Sequence, residues 1–187
     1  MKRIVILAGA LLLSTTILTS KPKNPSDELT NIIGNYYKND SMSLNVKDNS
    51  SKSERSSHTA RAGVRDQIIE FASNKLGSPY VWGATGPNSF DCSGFVGYVF
   101  KKAADLNLPR VSSDQATFRP KISSMNMKKG DLVFFETTGK GRISHVGIYM
   151  GGRQFIHASS GSRRVTISSL DSDFYSRTFR WAINPFS

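Results

Sequence analysis

Cys92 is the only cysteine in the chain, and three histidines accompany it: His58, His145 and His157. A thiol with an imidazole in reach can perform acyl transfer, because sulfur attacks a carbonyl while a ring nitrogen carries the proton. Cys92 stands where a stretch rich in Gly, Pro, Asn and Ser, residues 80–91, gives way to Val96, Val99, Phe100 and Ala103 at helical spacing. This predicts a cysteine at the first turn of a helix. Unpaired N–H groups and the positive end of the macrodipole favour the thiolate there, and they also face the point where a tetrahedral oxyanion would form. Gly94 would let a second backbone approach closely. A cysteine without a chemical role would instead be a small buried hydrophobe.

His58 lies in a polar stretch and is set aside, which leaves His145 and His157 to supply the base. Both fall in short β-type runs flanking Gly151-Gly152, so their relation depends on the hairpin register. A two-residue turn at the glycines would place them on opposite faces. A three-residue loop, Met150-Gly151-Gly152, with Gly152 left-handed, pairs Tyr149 with Arg153 and His145 with His157 on one face. That register is the one expected, with His145 against Cys92 and His157 fixing the tautomer of His145. Two histidines 12 residues apart and one cysteine lack the fourth ligand and close spacing of a zinc site, so neither a metal nor another cofactor is implied.

The elements that must position these groups follow from the hydrophobic pattern. Val64, Ile68, Phe71, Ala72 and Leu76 predict a first helix starting near Arg61 and capped by Gly77, and 93–104 predicts the second. Strands are predicted at 131–135, 145–150, 154–158, 164–167 and 179–183. Helices followed by a mainly antiparallel sheet make an α+β domain over residues 61–187. Ahead of it, Lys2 and Arg3 precede an apolar run at residues 4–13, which reads as a signal peptide over residues 1–20. Retention of that segment as an anchor is the alternative. Residues 21–60 read as a polar linker, disordered by composition. No cysteine follows the apolar run to accept a lipid, so the expectation is a soluble, monomeric, exported enzyme of the periplasm or exterior.

The formal charge is +11, of which +8 falls in residues 61–187. A basic domain concentrates anionic polymers around it. Nucleic acid is not the expected partner, because no zinc-finger spacing, basic heptad helix or aromatic RNA-binding signature is present.

Five segments together resemble the NlpC/P60 family of bacterial cell-wall cysteine peptidases: 77–83 (GSPYVWG), 91–96 (DCSGFV), 130–135 (GDLVFF), 145–149 (HVGIY) and 155–159 (FIHAS). The resemblance spans roughly residues 61–181. It implies a papain-like fold and hydrolysis of peptide bonds in peptidoglycan stem peptides; some members open cross-links instead. It also implies that Cys92 is the nucleophile, His145 the base and His157 the orienting residue. Tyr80 matches a tyrosine near the oxyanion, and Asp91 and Ser93 match residues that contact the free amine of the stem peptide. Asp91 could equally cap the second helix, since Asp is a favoured N-cap. Ala84 stands where the family commonly has a second glycine. An amidase or acyltransferase using the same thiol, or a wall-binding protein without turnover, are the rival readings.

Overall fold

The computed structural model describes residues 52–187, with side chains from residue 63 onward. The export segment and most of the linker inferred from the sequence lie outside the described residues. Helix α1 (Lys52–Ser73) starts nine residues before the expected Arg61, so residues 52–60, read as linker, are helical. Among the described residues no helix is long and apolar enough to cross a membrane.

Helix α2 (Cys92–Ala104) and the short α3 (Ser112–Gln115) follow. The strands are β1 (Lys121–Ile122), β2 (Leu132–Phe135), β3 (His145–Gly151), β4 (Gln154–Ser159), β5 (Arg164–Ser169) and β6 (Phe179–Ile183), with helix α4 (Asp173–Thr178) ahead of the last. They form one antiparallel sheet in the order β1-β6-β2-β3-β4-β5. The α+β reading holds, and the five expected strands each form; β1, α3 and α4 were not anticipated.

Alternation along the strands divides the core in two. Leu132, Phe134, Val146, Ile148, Ile156 and Ala158 pack with Ile68, Phe95, Val99 and Phe100 of the helices. The intervening residues Val133, Phe135, Tyr149 and Phe155 face the other way, where Tyr175 and Phe179 cover them. Each such side chain contributes roughly 1.5–3 kcal/mol by leaving water, so both faces hold the sheet in place. Arg65 of α1 is tied to the sheet layer by bonds of 2.8 Å to Asp131 and 2.8 Å to Asn184.

The β3–β4 hairpin departs from the expected register. Tyr149 pairs with Phe155 rather than Arg153, and Ile148 pairs with Ile156. The turn residues are Gly152 and Arg153, both left-handed at φ +54° and +61°, flanked by the pair Gly151 and Gln154. This two-residue turn alone would put the histidines on opposite faces. Met150 is an extra, bulged residue on β3, and that single insertion restores the parity. His145 and His157 therefore do share a face, as diagonal rather than direct neighbours. Carried one step beyond Ile148 and Ile156, the register sets Gly147 opposite His157. A Cβ at Gly147 would lie 3.3 Å from the Cβ of His157 and 2.6 Å from the Phe155 ring. The bare glycine thus leaves space for the two rings to meet.

The outer edge of β5 is not open along its first half. Gly77 donates to the Val165 carbonyl (2.9 Å), Val165 donates to Ser78 (2.8 Å) and Tyr80 donates to Arg163 (2.9 Å). Gly77, at φ +82°, turns the chain after α1 into this pairing.

Candidate active site

Cys92 opens α2, and the residue before it builds the cap. Asp91 is extended at φ −91° and ψ 178°, and its Oδ1 accepts from the Gly94 N–H at 2.6 Å. The second oxygen accepts from the Gly83 N–H at 3.1 Å. Arg110 then grips the same carboxylate, with Nη2 at 2.6 Å from Oδ2 and Nη1 at 3.2 Å from Oδ1. The Ser93 hydroxyl donates to Asp91 at 3.3 Å and accepts from Arg110 at 3.1 Å. Asp91 and Ser93, matched by resemblance to amine-binding residues, are thus engaged in holding the helix start. Arg110 carried no signal in the sequence, because its partner lies 19 residues away across a loop.

Gly94 admits a second backbone, as its residue type suggested. A Cβ there would sit 2.2 Å from the Ala84 carbonyl oxygen and 2.9 Å from Asp91 Oδ1. We expect Gly94→Ala to lower stability by about 2–3 kcal/mol, since neither the loop nor the cap can retreat without breaking hydrogen bonds. Urea unfolding of the variant measures it, and a change below about 0.5 kcal/mol would mean that the loop yields freely.

The Cys92 thiol is buried and receives the N–H groups of Ser93, of Val146 and of Cys92 itself. These lower its pKa, as a helix start should. Burial outweighs them and Asp91 adds to it, so the thiol lies above its ordinary value. The sequence-based expectation of a promoted thiolate is corrected for the resting protein: dehydration of the anion is the larger effect. Tyr80 is electrostatically coupled to both Cys92 and Asp91, and burial, followed by those two negative charges, raises its hydroxyl pKa.

Val146, whose N–H is directed at the sulfur, directly follows His145, so the start of β3 is brought against the start of α2. His145 Nε2 and His157 Nδ1 are 2.7 Å apart, with the rings at 83°. On its far side, His157 Nε2 lies 3.0 Å from Ser168 Oγ of β5. Both imidazoles are buried, and desolvation lowers the pKa of His145 to about 4 and that of His157 well below its ordinary value. Phe155 lies 4.7 Å and Tyr175 5.4 Å from the His157 ring, and Phe135 lies 5.9 Å from that of His145. Sequence reading missed Ser168 and Tyr175; the former is one of three serines and threonines of one strand, the latter on a helix too short to show periodicity.

A cavity of about 500 Å³ opens beside His145, bounded by Thr137, Thr138, Ser159, Ser162, Phe174 and Tyr175 among others. Among the described residues no group of three or more His, Cys, Asp or Glu is arranged to hold a metal ion.

The NlpC/P60 family description matches residues 77–183, more than half of the chain. The chain belongs to the NlpC/P60 family. It is 32% identical over 188 residues to a probable endopeptidase NlpC homolog of Haemophilus influenzae, covering 96% of each. It is 34% identical to the murein DD-endopeptidase MepH of Escherichia coli, over 73% of this chain and 52% of that one. Among solved structures, the NlpC/p60 domain of the peptidoglycan hydrolase SagA superposes with a TM-score of 0.56 at 33% identity, over 64% of this chain and 97% of the other. Across the curated relatives the matched portion runs from 17% of one to 96% of another. Family membership thus agrees with the five-segment resemblance and with the α+β architecture.

Proposed function

We propose that this NlpC/P60 protein is a cysteine peptidase that hydrolyses peptide bonds in the stem peptides or cross-links of peptidoglycan, outside the cytoplasm. The observation that carries the reading is the chain of contacts from His145 through His157 to Ser168, at 2.7 and 3.0 Å. We assign its protons so that His157 Nε2–H donates to Ser168, which leaves Nδ1 as acceptor for His145 Nε2–H. His145 Nδ1 then carries the free lone pair a base requires.

At rest the pair is a neutral thiol and a neutral imidazole, given a raised thiol and a His145 pKa of about 4. As sulfur attacks the scissile carbonyl, His145 takes the thiol proton, and the imidazolium is stabilised by its bond to His157. The Cys92 N–H and the Tyr80 hydroxyl serve the tetrahedral oxyanion. His145 returns the proton to the leaving amine, and a water activated by the same nitrogen releases the acyl-enzyme. No cofactor enters the cycle. Asp91, Ser93 and Arg110 act as positioning residues for the nucleophile helix.

The names of the relatives support peptidoglycan as the substrate, and the basic domain suits a wall rich in carboxylates and phosphates. Incubation with purified sacculi, followed by mass spectrometry of the muropeptides, tests the reading. The expected products are fragments with new peptide amines and carboxylates and intact sugar chains. Transfer of an acyl group without hydrolysis, or sugar cleavage, would overturn it.

A further inference from the structure

Resting on the peptidase reading above, the geometry points to one more feature: Trp82, flanked by Val81 and Val111, forms a platform for the sugar ring that carries the stem peptide. The protein would therefore select stem peptides still joined to their glycan.

Chemistry sets the direction of the substrate. His145 must protonate the leaving amine, so the C-terminal part of the cleaved peptide lies on the His145 side, where the cavity bounded by Tyr175 and Phe174 opens. The N-terminal part, whose first residue bears the sugar in peptidoglycan, runs the other way along Tyr80–Gly83 and Arg110.

That second side is poorly suited to a free ammonium. The carboxylate acting on both Cys92 and Tyr80 is that of Asp91, and each of its oxygens already accepts hydrogen bonds. The guanidinium of Arg110 pairs with it at 2.6 Å and balances its charge. A peptide with a free N-terminus would bring an ammonium to a carboxylate whose oxygens are already bonded and whose charge is already balanced. When the sugar is attached, that nitrogen is a neutral amide and needs no counter-charge.

The same side is well suited to a pyranose. Trp82 is 87% exposed, Val81 48% and Val111 46%, three of the five large exposed apolar side chains among the described residues. All three lie within two residues of the bond between Arg110 Nη2 and the Gly83 carbonyl, at 2.9 Å. Bonds from the Val81 N–H to Phe90 (2.9 Å) and from the Ala84 N–H to Val81 (3.1 Å) fix the segment. The indole, carried on a backbone fixed by these bonds, offers a flat apolar face for the C–H groups of a sugar ring. Concentration of apolar exposure in one place beside a site marks a binding surface.

The test measures binding to Cys92→Ala protein, so it does not depend on turnover. Calorimetry compares a disaccharide tetrapeptide with the same tetrapeptide bearing a free N-terminus. The sugar-linked ligand is expected to bind about tenfold more tightly, as one aromatic contact can provide. Adding Trp82→Ala brings the two affinities together, whereas Trp82→Phe keeps most of the difference. Equal affinities before the Trp82 change, a preference that survives Trp82→Ala, or no binding of either ligand would each overturn the platform. Failure of the peptidase reading shows up separately, as intact stem peptides and cross-links after incubation of purified sacculi with the parent protein.

Discussion

Cys92→Ala is expected to lower peptidoglycan hydrolysis by at least about a thousandfold while leaving the unfolding midpoint within a few degrees of the parent protein. The change removes one sulfur from the first residue of α2 and leaves every backbone N–H around it in place. Cys92 is 8% exposed and packs at the margin of the helical core, so the lost contact area is small. No other cysteine exists in the chain to take over. Dye release from labelled sacculi, with calorimetric unfolding alongside, measures both halves of the statement. Retained hydrolysis would remove Cys92 as the nucleophile.

His145→Gln is expected to reduce the rate by about a hundred- to ten-thousandfold, the range for loss of a positioned general base, and to change how stability depends on acidity. Burial lowers the folded pKa of His145 from an ordinary 6.5 to about 4. Between those values the unfolded chain binds a proton that the folded protein does not, so this residue's contribution is complete above about pH 6.5 and is lost as the pH falls towards 4. The contribution is of order 3 kcal/mol. Glutamine can replace the bond to His157 but does not titrate. The variant's stability should therefore fall less than the parent's between pH 7 and pH 4.5 in urea unfolding. The remaining acid sensitivity belongs partly to His157, whose pKa is lowered in the same direction. Parallel stability profiles for the two proteins, or a rate within about tenfold of the parent, would count against a buried neutral base at this position.

The legible and illegible parts of this molecule divide by the range of the interactions involved. The strands around His145 and His157 and the start of the nucleophile helix were readable because alternation, helical spacing and a Gly/Pro/Asn-rich loop are local signals. The shared face of the histidines was also foreseen, although by the wrong pairing. A glycine pair offers several turns, and the one adopted, Gly152-Arg153 with a bulge at Met150, keeps Tyr149 and Phe155 paired within one buried cluster, which the turn residues alone do not reveal. The state of the thiol was misjudged for a similar reason. A helix start can be seen in sequence, whereas burial by the far strands that outweighs it cannot. Arg110, Ser168 and Tyr175 were invisible because each owes its place to contacts made across the fold. The start of α1 at Lys52 was hidden by a serine-rich composition that resembles a linker.

Residues 77–80 have a consequence reaching past the chemistry. They cover one rim of the sheet by pairing with Val165 and Arg163, and the same short segment carries the tyrosine beside the thiol. Uncovered backbone along a rim is a template on which other chains can add strands. Insertions or proteolytic nicks there would not only disturb Tyr80 but also leave β5 free to recruit its neighbours. Protection from self-association and upkeep of the reaction centre thus fall to the same four residues.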